Sequence, residues 1–149
     1  MRSWRKNWHP QTRIDVVHPG LGSAADYHRT VSAHPTVLFT GALNRPDNSS
    51  AAEWFLRDMW PAIVAQVPQA EFIIAGANPP EKLNQLVQHN ERVTLTGFVP
   101  SLDPYYAQAT VFVVPLRTGA GVKFKLLTQC YVVYRLLATS VGAEGIDGT

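Results

Sequence analysis

The sequence predicts an α/β domain: a parallel sheet of about five strands with helices on both faces. Three observations predict it. Short apolar runs recur from Val37 to Thr139. Stretches with helical signals separate them. Three of the runs, closed by Gly41, Gly76 and Gly97, end directly in glycine. Strands of a parallel sheet are covered on both faces, so they read as continuous apolar runs rather than alternations, and these do.

Each element has its own signal. Val37–Thr40 is the first strand. A helix is expected from about Ser50 to Gln66, with Ser50 and Glu53 as a capping box. Ala52, Phe55, Met59 and Ile63 fall on one face of it, and Pro61 should kink or restart it. Glu71–Ala75 is the second strand. Pro79 and Pro80 suit a helix start, with Leu83, Leu86 and Val87 as its apolar face. Val93–Thr96 is the third strand, and a short helix covers Asp103–Ala109. Val111–Val114 is the fourth strand and the most apolar. A helix follows from about Val122 to Val132, then a fifth strand at Leu136–Thr139. Residues 1–35 hold Pro10, Pro19, Gly20, Gly22 and Pro35 and read as a linker or the edge of a missing neighbouring domain, with residues 36–149 as the folded unit.

Composition narrows the class. A chain of 149 residues has room for one ordinary domain. Hydrophobic residues at 46% and charged residues at 16% are a globular mixture, not a disordered one. A net charge of +2 gives no reason to expect nucleic acid. The charge is uneven, however. Arg2, Arg5, Lys6, Arg13 and Arg29 precede residue 35 against Asp15 and Asp26, and Trp4 and Trp8 lie among them. That start suits a solvated leader, another domain, or peripheral association with a membrane surface. With the single cysteine Cys130 there is no internal disulfide, and no apolar h-region or bilayer-length run is present. The expectation is a cytoplasmic protein, with the inner face of a membrane as one location.

In open α/β sheets ligands bind at the carboxyl ends of the strands. The loops there are Gly41–Asn48, Gly76–Asn78, Gly97–Ser101, Pro115–Lys125 and Ser140–Gly145. The fourth reads Pro-Leu-Arg-Thr-Gly-Ala-Gly-Val-Lys-Phe-Lys. Its glycines let backbone approach a ligand, the helix after it offers free amides and a positive dipole end, and Arg117, Lys123 and Lys125 add charge. A diphosphate is the natural guest. The spacing is neither a Walker loop nor the dinucleotide fingerprint, and a plain strand-to-helix turn is the other reading.

Residues 36–147 resemble the C-terminal domain of group 1 glycosyltransferases of the retaining GT-B type. The resemblance rests on an ordered set of segments. These are Val37-Leu38-Phe39-Thr40-Gly41 with Asn48; Pro68-x-Ala70-x-Phe72-x-Ile74-x-Gly76; and Val93-x-Leu95-x-Gly97-Phe98-Val99. Next come Tyr105-Tyr106-x-x-Ala109-x-Val111-Phe112-Val113-x-Pro115-Leu116 and the loop Gly119 to Lys125. The last is Ala138-Thr139-x-x-Gly142-x-Glu144-Gly145-Ile146. It implies a Rossmann-like domain, one half of a GT-B fold and truncated at its C-terminal end. Such a domain binds a nucleoside-diphosphate sugar in a cleft facing an N-terminal acceptor domain and transfers a hexose-type sugar. Carried over by position, the Gly119 to Gly121 backbone and Lys125 hold the diphosphate. Gly41 lets sugar phosphates approach the first loop, Phe98 and Val99 lie where the nucleobase packs, and Arg117, Lys123 and Glu144 complete the donor-binding set. No cofactor and no metal is expected: the sequence has no Asp-x-Asp pair and no His/Cys cluster at ligand spacing.

The sequence also departs from the family. Thr128 stands where the family usually has a ribose-binding glutamate, Ala120 where many members are acidic, and Val133-Tyr134-Arg135 where a Gly-x-Pro turn precedes the fifth strand. Divergence, a degenerate inactive copy, and a pair of compensating frame shifts across Thr128 to Leu137 each account for this. A non-catalytic nucleotide-binding module and a sugar-nucleotide epimerase-like domain are therefore the alternatives, and weak or no donor binding and no turnover are expected of this chain alone. The plainer readings of individual residues are helix capping for Asn48, packing for Trp54, Trp60, Tyr105 and Tyr106, burial for Cys130, and surface positions for His9, His18, His28 and His34.

Overall fold

The computed structural model describes residues 30, 32–119 and 135–144. Five strands, β1 (Thr36–Thr40), β2 (Glu71–Ala75), β3 (Val93–Leu95), β4 (Val111–Val114) and β5 (Leu136–Ala138), form one sheet in the order β3-β2-β1-β4-β5. Every pairing is parallel. The Rossmann-like α/β architecture is thus present as the sequence predicts. The helices are α1 (Pro46–Trp54), α2 (Trp60–Gln66), α3 (Glu81–Gln88) and α4 (Asp103–Gln108). The expected helix over Val122–Val132 lies outside the described residues.

Alternation along the strands splits the core into two layers. Val37, Phe39, Phe72, Ile74 and Val113 pack with Ala52, Phe55, Leu56 and Trp60 and with Leu83 of α3. Leu38, Ile73, Ala75, Phe112 and Val114 pack with Tyr106 of α4. Phe72 is the centre of the first layer. Its ring lies 4.9 Å from that of Phe55 and 5.4 Å from that of Trp60, both tilted, as aromatic quadrupoles prefer. In the second layer Tyr106 meets Phe112 edge-on at 6.0 Å, while its hydroxyl reaches the buried Thr40 hydroxyl at 3.3 Å.

The first helical stretch ends at Gln66, as the sequence predicts, but its start is corrected. It starts at Pro46 rather than Ser50, with Pro in the first turn and no side-chain cap. Proline fits there because its missing N–H has no intrahelical partner to lose. The capping box is absent. The Ser50 hydroxyl donates to the Asp47 carbonyl at 3.3 Å, and Glu53 pairs with Lys82 of α3 at 2.6 Å. Further on, an α-helix restarts at Trp60 with Pro61 in its first turn, one of the two outcomes expected of that proline. A π-helical segment, Phe55–Met59, joins α1 to α2, and the Trp60 amide bonds back to the Phe55 carbonyl. The wider turn accommodates a proline that cannot donate to the carbonyl four residues back. It also sets Phe55 and Trp60, five residues apart, on the same aromatic partner.

At the carboxyl end of the sheet the β1 and β2 exits touch. Gly41 N–H donates to Ala75 C=O and Leu43 N–H to Ala77 C=O, each at 3.0 Å. A Cβ on Gly76 would overlap the Gly41 carbonyl oxygen, so only glycine fits. Gly76→Ala should therefore cost about 3 kcal/mol or more, read as a drop in the urea midpoint. Phe72→Ala should cost about 3–5 kcal/mol by opening a cavity between Phe55 and Trp60. An unchanged midpoint in either variant would contradict this packing.

Candidate functional site at the carboxyl edge of the sheet

The strand order reverses at β1. From there the chain steps outward to β2 and β3, then returns through α4 to β4 on the other side of β1. A crevice for ligands opens at such a reversal because the two exit loops diverge. Here those loops are the ones after β1, at Gly41, and after β4, at Pro115 to Gly119.

The first turn of α1 organises both loops. Asn48 is not a helix cap, as its residue type suggests, but the third residue of α1. Its Nδ2 donates to the Ala42 carbonyl at 2.9 Å, and its side chain occupies the space beside the Gly41 Cα, where a Cβ would come within 3.0 Å of the Asn48 Cγ. Asp47, one residue earlier, accepts a 2.7 Å hydrogen bond from the Thr118 hydroxyl. An acidic residue in a first turn also complements the helix dipole. Two turns along α1, Trp54 carries the Arg117 guanidinium 5.2 Å above its ring, within cation–π range. The β4 exit is thus fastened to α1 at two points. Immediately after them Gly119 has φ 114°, in the region that L side chains avoid.

The β5 exit is tied to β4 in the same way. Thr139 N–H donates to the Val114 carbonyl at 3.2 Å, and the Thr139 hydroxyl bonds to the Leu116 carbonyl while accepting the Gly142 N–H at 3.0 Å. Glu144 is exposed at the end of that turn. On the far side, Phe98 follows β3 and Gly97 (φ 68°) and is 79% exposed.

The structure therefore spaces the expected residues along one edge. Phe98 lies at one end, Gly41 in the middle, Arg117 and Gly119 beside it across the strand reversal, and Glu144 past β5. Gly121, Lys123 and Lys125, with Ala120 and Thr128, lie outside the described residues. The sequence reading missed Asp47, Thr118 and Thr139 as organisers, and it assigned Trp54 to packing alone. The Asp47 signal was present: Pro46 as a first-turn residue moves the helix start forward and puts Asp47 at its positive end. Nothing local marks Thr118, whose partner is 71 positions away. Among the described residues there is no helix long and apolar enough to cross a membrane, and no cluster of three or more His, Cys, Asp or Glu at metal-binding separation.

Residues 34–149 match the family model described as glycosyl transferases group 1. The chain belongs to that family. An uncharacterized 44.6 kDa protein in the cps region of Klebsiella pneumoniae is 29% identical over 147 residues, which cover 93% of this chain and 36% of that protein. The sucrose-phosphate synthase of Thermosynechococcus elongatus superposes with a TM-score of 0.59 at 22% identity, covering 84% of this chain and 35% of that one. That likeness concerns the fold alone, and it is to a GT-B glycosyltransferase domain. The chain spans little more than a third of the length of either protein.

The tie between β4 and β5 has a measurable strength. Thr139→Val keeps the shape but leaves the Gly142 N–H and the Leu116 carbonyl without their partner, and should cost about 1–3 kcal/mol. Thr139→Ser should cost less than the valine, since it restores the hydroxyl. The comparison is made by thermal or urea unfolding.

Proposed function

We propose that this domain binds a nucleoside-diphosphate sugar across the β1/β4 reversal and presents it for transfer of a hexose-type sugar to an acceptor held by another domain. The observation that carries the reading is the Gly119 loop emerging from β4 at that reversal, in a chain of the group 1 glycosyltransferase family. The diphosphate would lie against the backbone amides of Gly119 and Gly121, with Lys125 as its principal cation and Lys123 and Arg117 beside it. In this reading the exposed Phe98 would face the base, Gly41 would line the near wall, and Glu144 would meet sugar hydroxyls.

The chemistry suits such groups. As the bond from the anomeric carbon to the diphosphate oxygen breaks, positive charge grows on the sugar and negative charge on the departing phosphate. The acceptor hydroxyl oxygen forms the new bond to the anomeric carbon and its proton passes to the departing diphosphate oxygen. Amides and lysine placed beforehand at the leaving oxygens stabilise that charge without reorganising. In this reading the leaving group needs no metal, and no cofactor takes part. Arg117 bears on the strength of the site, because its guanidinium is already engaged by Trp54.

A second reading is favoured by one residue. Thr128 replaces the carboxylate that the resemblance expects at the ribose, and a nucleotide-binding module without turnover would tolerate that loss. Calorimetric titration with UDP and GDP tests both. Binding of one of them is expected, and Lys125→Ala should weaken it at least about tenfold, the loss of one charge-assisted hydrogen bond. Thr128→Glu should tighten binding by about tenfold or more, because the carboxylate recovers charge-assisted bonds to ribose hydroxyls. A folded chain that binds neither nucleotide would defeat the donor-site reading.

A further inference from the structure

Asp47 and Trp54 are seven residues apart on α1. Seven residues are close to two turns, so both lie on one face, about 10.5 Å apart along the axis. Their partners are neighbours in sequence. Trp54 holds Arg117, and Asp47, nearer the helix start, holds Thr118. The long Arg117 side chain reaches the C-terminal end of α1 and the short Thr118 side chain its N-terminal turn, so two adjacent loop residues are held at both ends of one helix face. The next residue, Gly119, follows directly on the Thr118 anchor with φ 114°. The same turn carries Asn48, which fixes the β1 exit through Ala42. Consecutive residues of one helical turn thus reach the two loops that flank the strand reversal.

We infer that Asp47 and Trp54 are positioning residues of the glycosyltransferase: they strap the β4 exit loop to α1 and so set the Gly119 backbone at the diphosphate site. The inference rests on the donor-site reading for its consequence, but the strap itself is a property of the free protein. Neither residue needs to touch the nucleotide. Asp47 acts through the Thr118 hydroxyl, and a carboxylate so close to a diphosphate would repel it if it were a ligand rather than an anchor. Without the strap, Gly119 must be ordered when the ligand binds, and that ordering lowers affinity. Glu53, on the same helix, is committed elsewhere, to Lys82.

The test uses the full chain with Asp47→Ala, Asp47→Asn, Thr118→Val, the Asp47→Ala/Thr118→Val double variant and Trp54→Leu, and it has two readouts. The first is ligand-free: 15N relaxation at Gly119. The amide order parameter should be near that of rigid backbone, about 0.85, in the parent and fall below about 0.6 in Asp47→Ala and Thr118→Val. The second is the affinity for UDP or GDP, whichever the parent binds. Each of these two single variants should lose about five- to tenfold, and the double variant no more than either alone, since both remove one interaction. Asp47→Asn keeps an acceptor oxygen and should retain most of the affinity. Trp54→Leu should lower the order parameter by a smaller amount.

An unchanged Gly119 order parameter in Asp47→Ala and Thr118→Val would overturn the strap. So would additive losses, which would mean two independent roles. Loss of order in the variants, with a parent that binds neither nucleotide, would uphold the strap and count against the donor site alone.

Discussion

β1 is covered on every side. Its residues Thr36 to Thr40 are all buried, with β2 and β4 hydrogen-bonded to its two edges and one core layer on each face. Nothing at this strand can shift without disturbing four sets of contacts. The reversal of strand order happens at it, so the position of the candidate site is inherited from its burial. The loops on either side of the reversal leave from a rigid base and can differ in sequence without moving the crevice.

The architecture builds outward from that strand by a few specific contacts. Gly76 against the Gly41 carbonyl closes the β1–β2 side. Thr139, bonded to Val114, Leu116 and Gly142, closes the β4–β5 side. Between them, among the described residues, the β1 and β4 exits are joined through side chains of α1. Asn48 and Asp47 reach one loop each. The Gly76 contact is a fixed backbone jam, whereas side-chain hydrogen bonds at an exposed edge contribute about 1 kcal/mol and can be remade. A loop that must receive a ligand is better held by the second kind of contact.

The π-helical segment belongs to the same logic. A continuous α-helix through Pro61 would place a carbonyl against the proline ring. The widened turn at Phe55–Met59 avoids that and lets Phe55 and Trp60 both meet Phe72. The core thereby gains aromatic contacts, and α1, which carries Asp47 and Asn48 in its first turn and Trp54 at its end, stays α-helical.

The strands, their order along the chain and the α/β class were determined by the sequence itself, because continuous apolar runs ending in glycine are a local signal of covered parallel strands. The family, too, was legible in the ordered segments from Val37 to Ile146. The helix start at Pro46 was misread, since Ser50 and Glu53 matched a capping pattern whose partners lie elsewhere: a carbonyl for the serine, Lys82 for the glutamate. Gly41, Phe98, Arg117, Gly119 and Glu144 could be placed on exit loops from sequence alone. That Arg117 lies over Trp54, and Thr118 on Asp47, was decided only by the tertiary structure. These partners are more than sixty positions apart in the chain, and they meet because β4 pairs with β1 rather than with β3. Strand pairing of that kind is a property of the whole sheet, and no local run of residues encodes it.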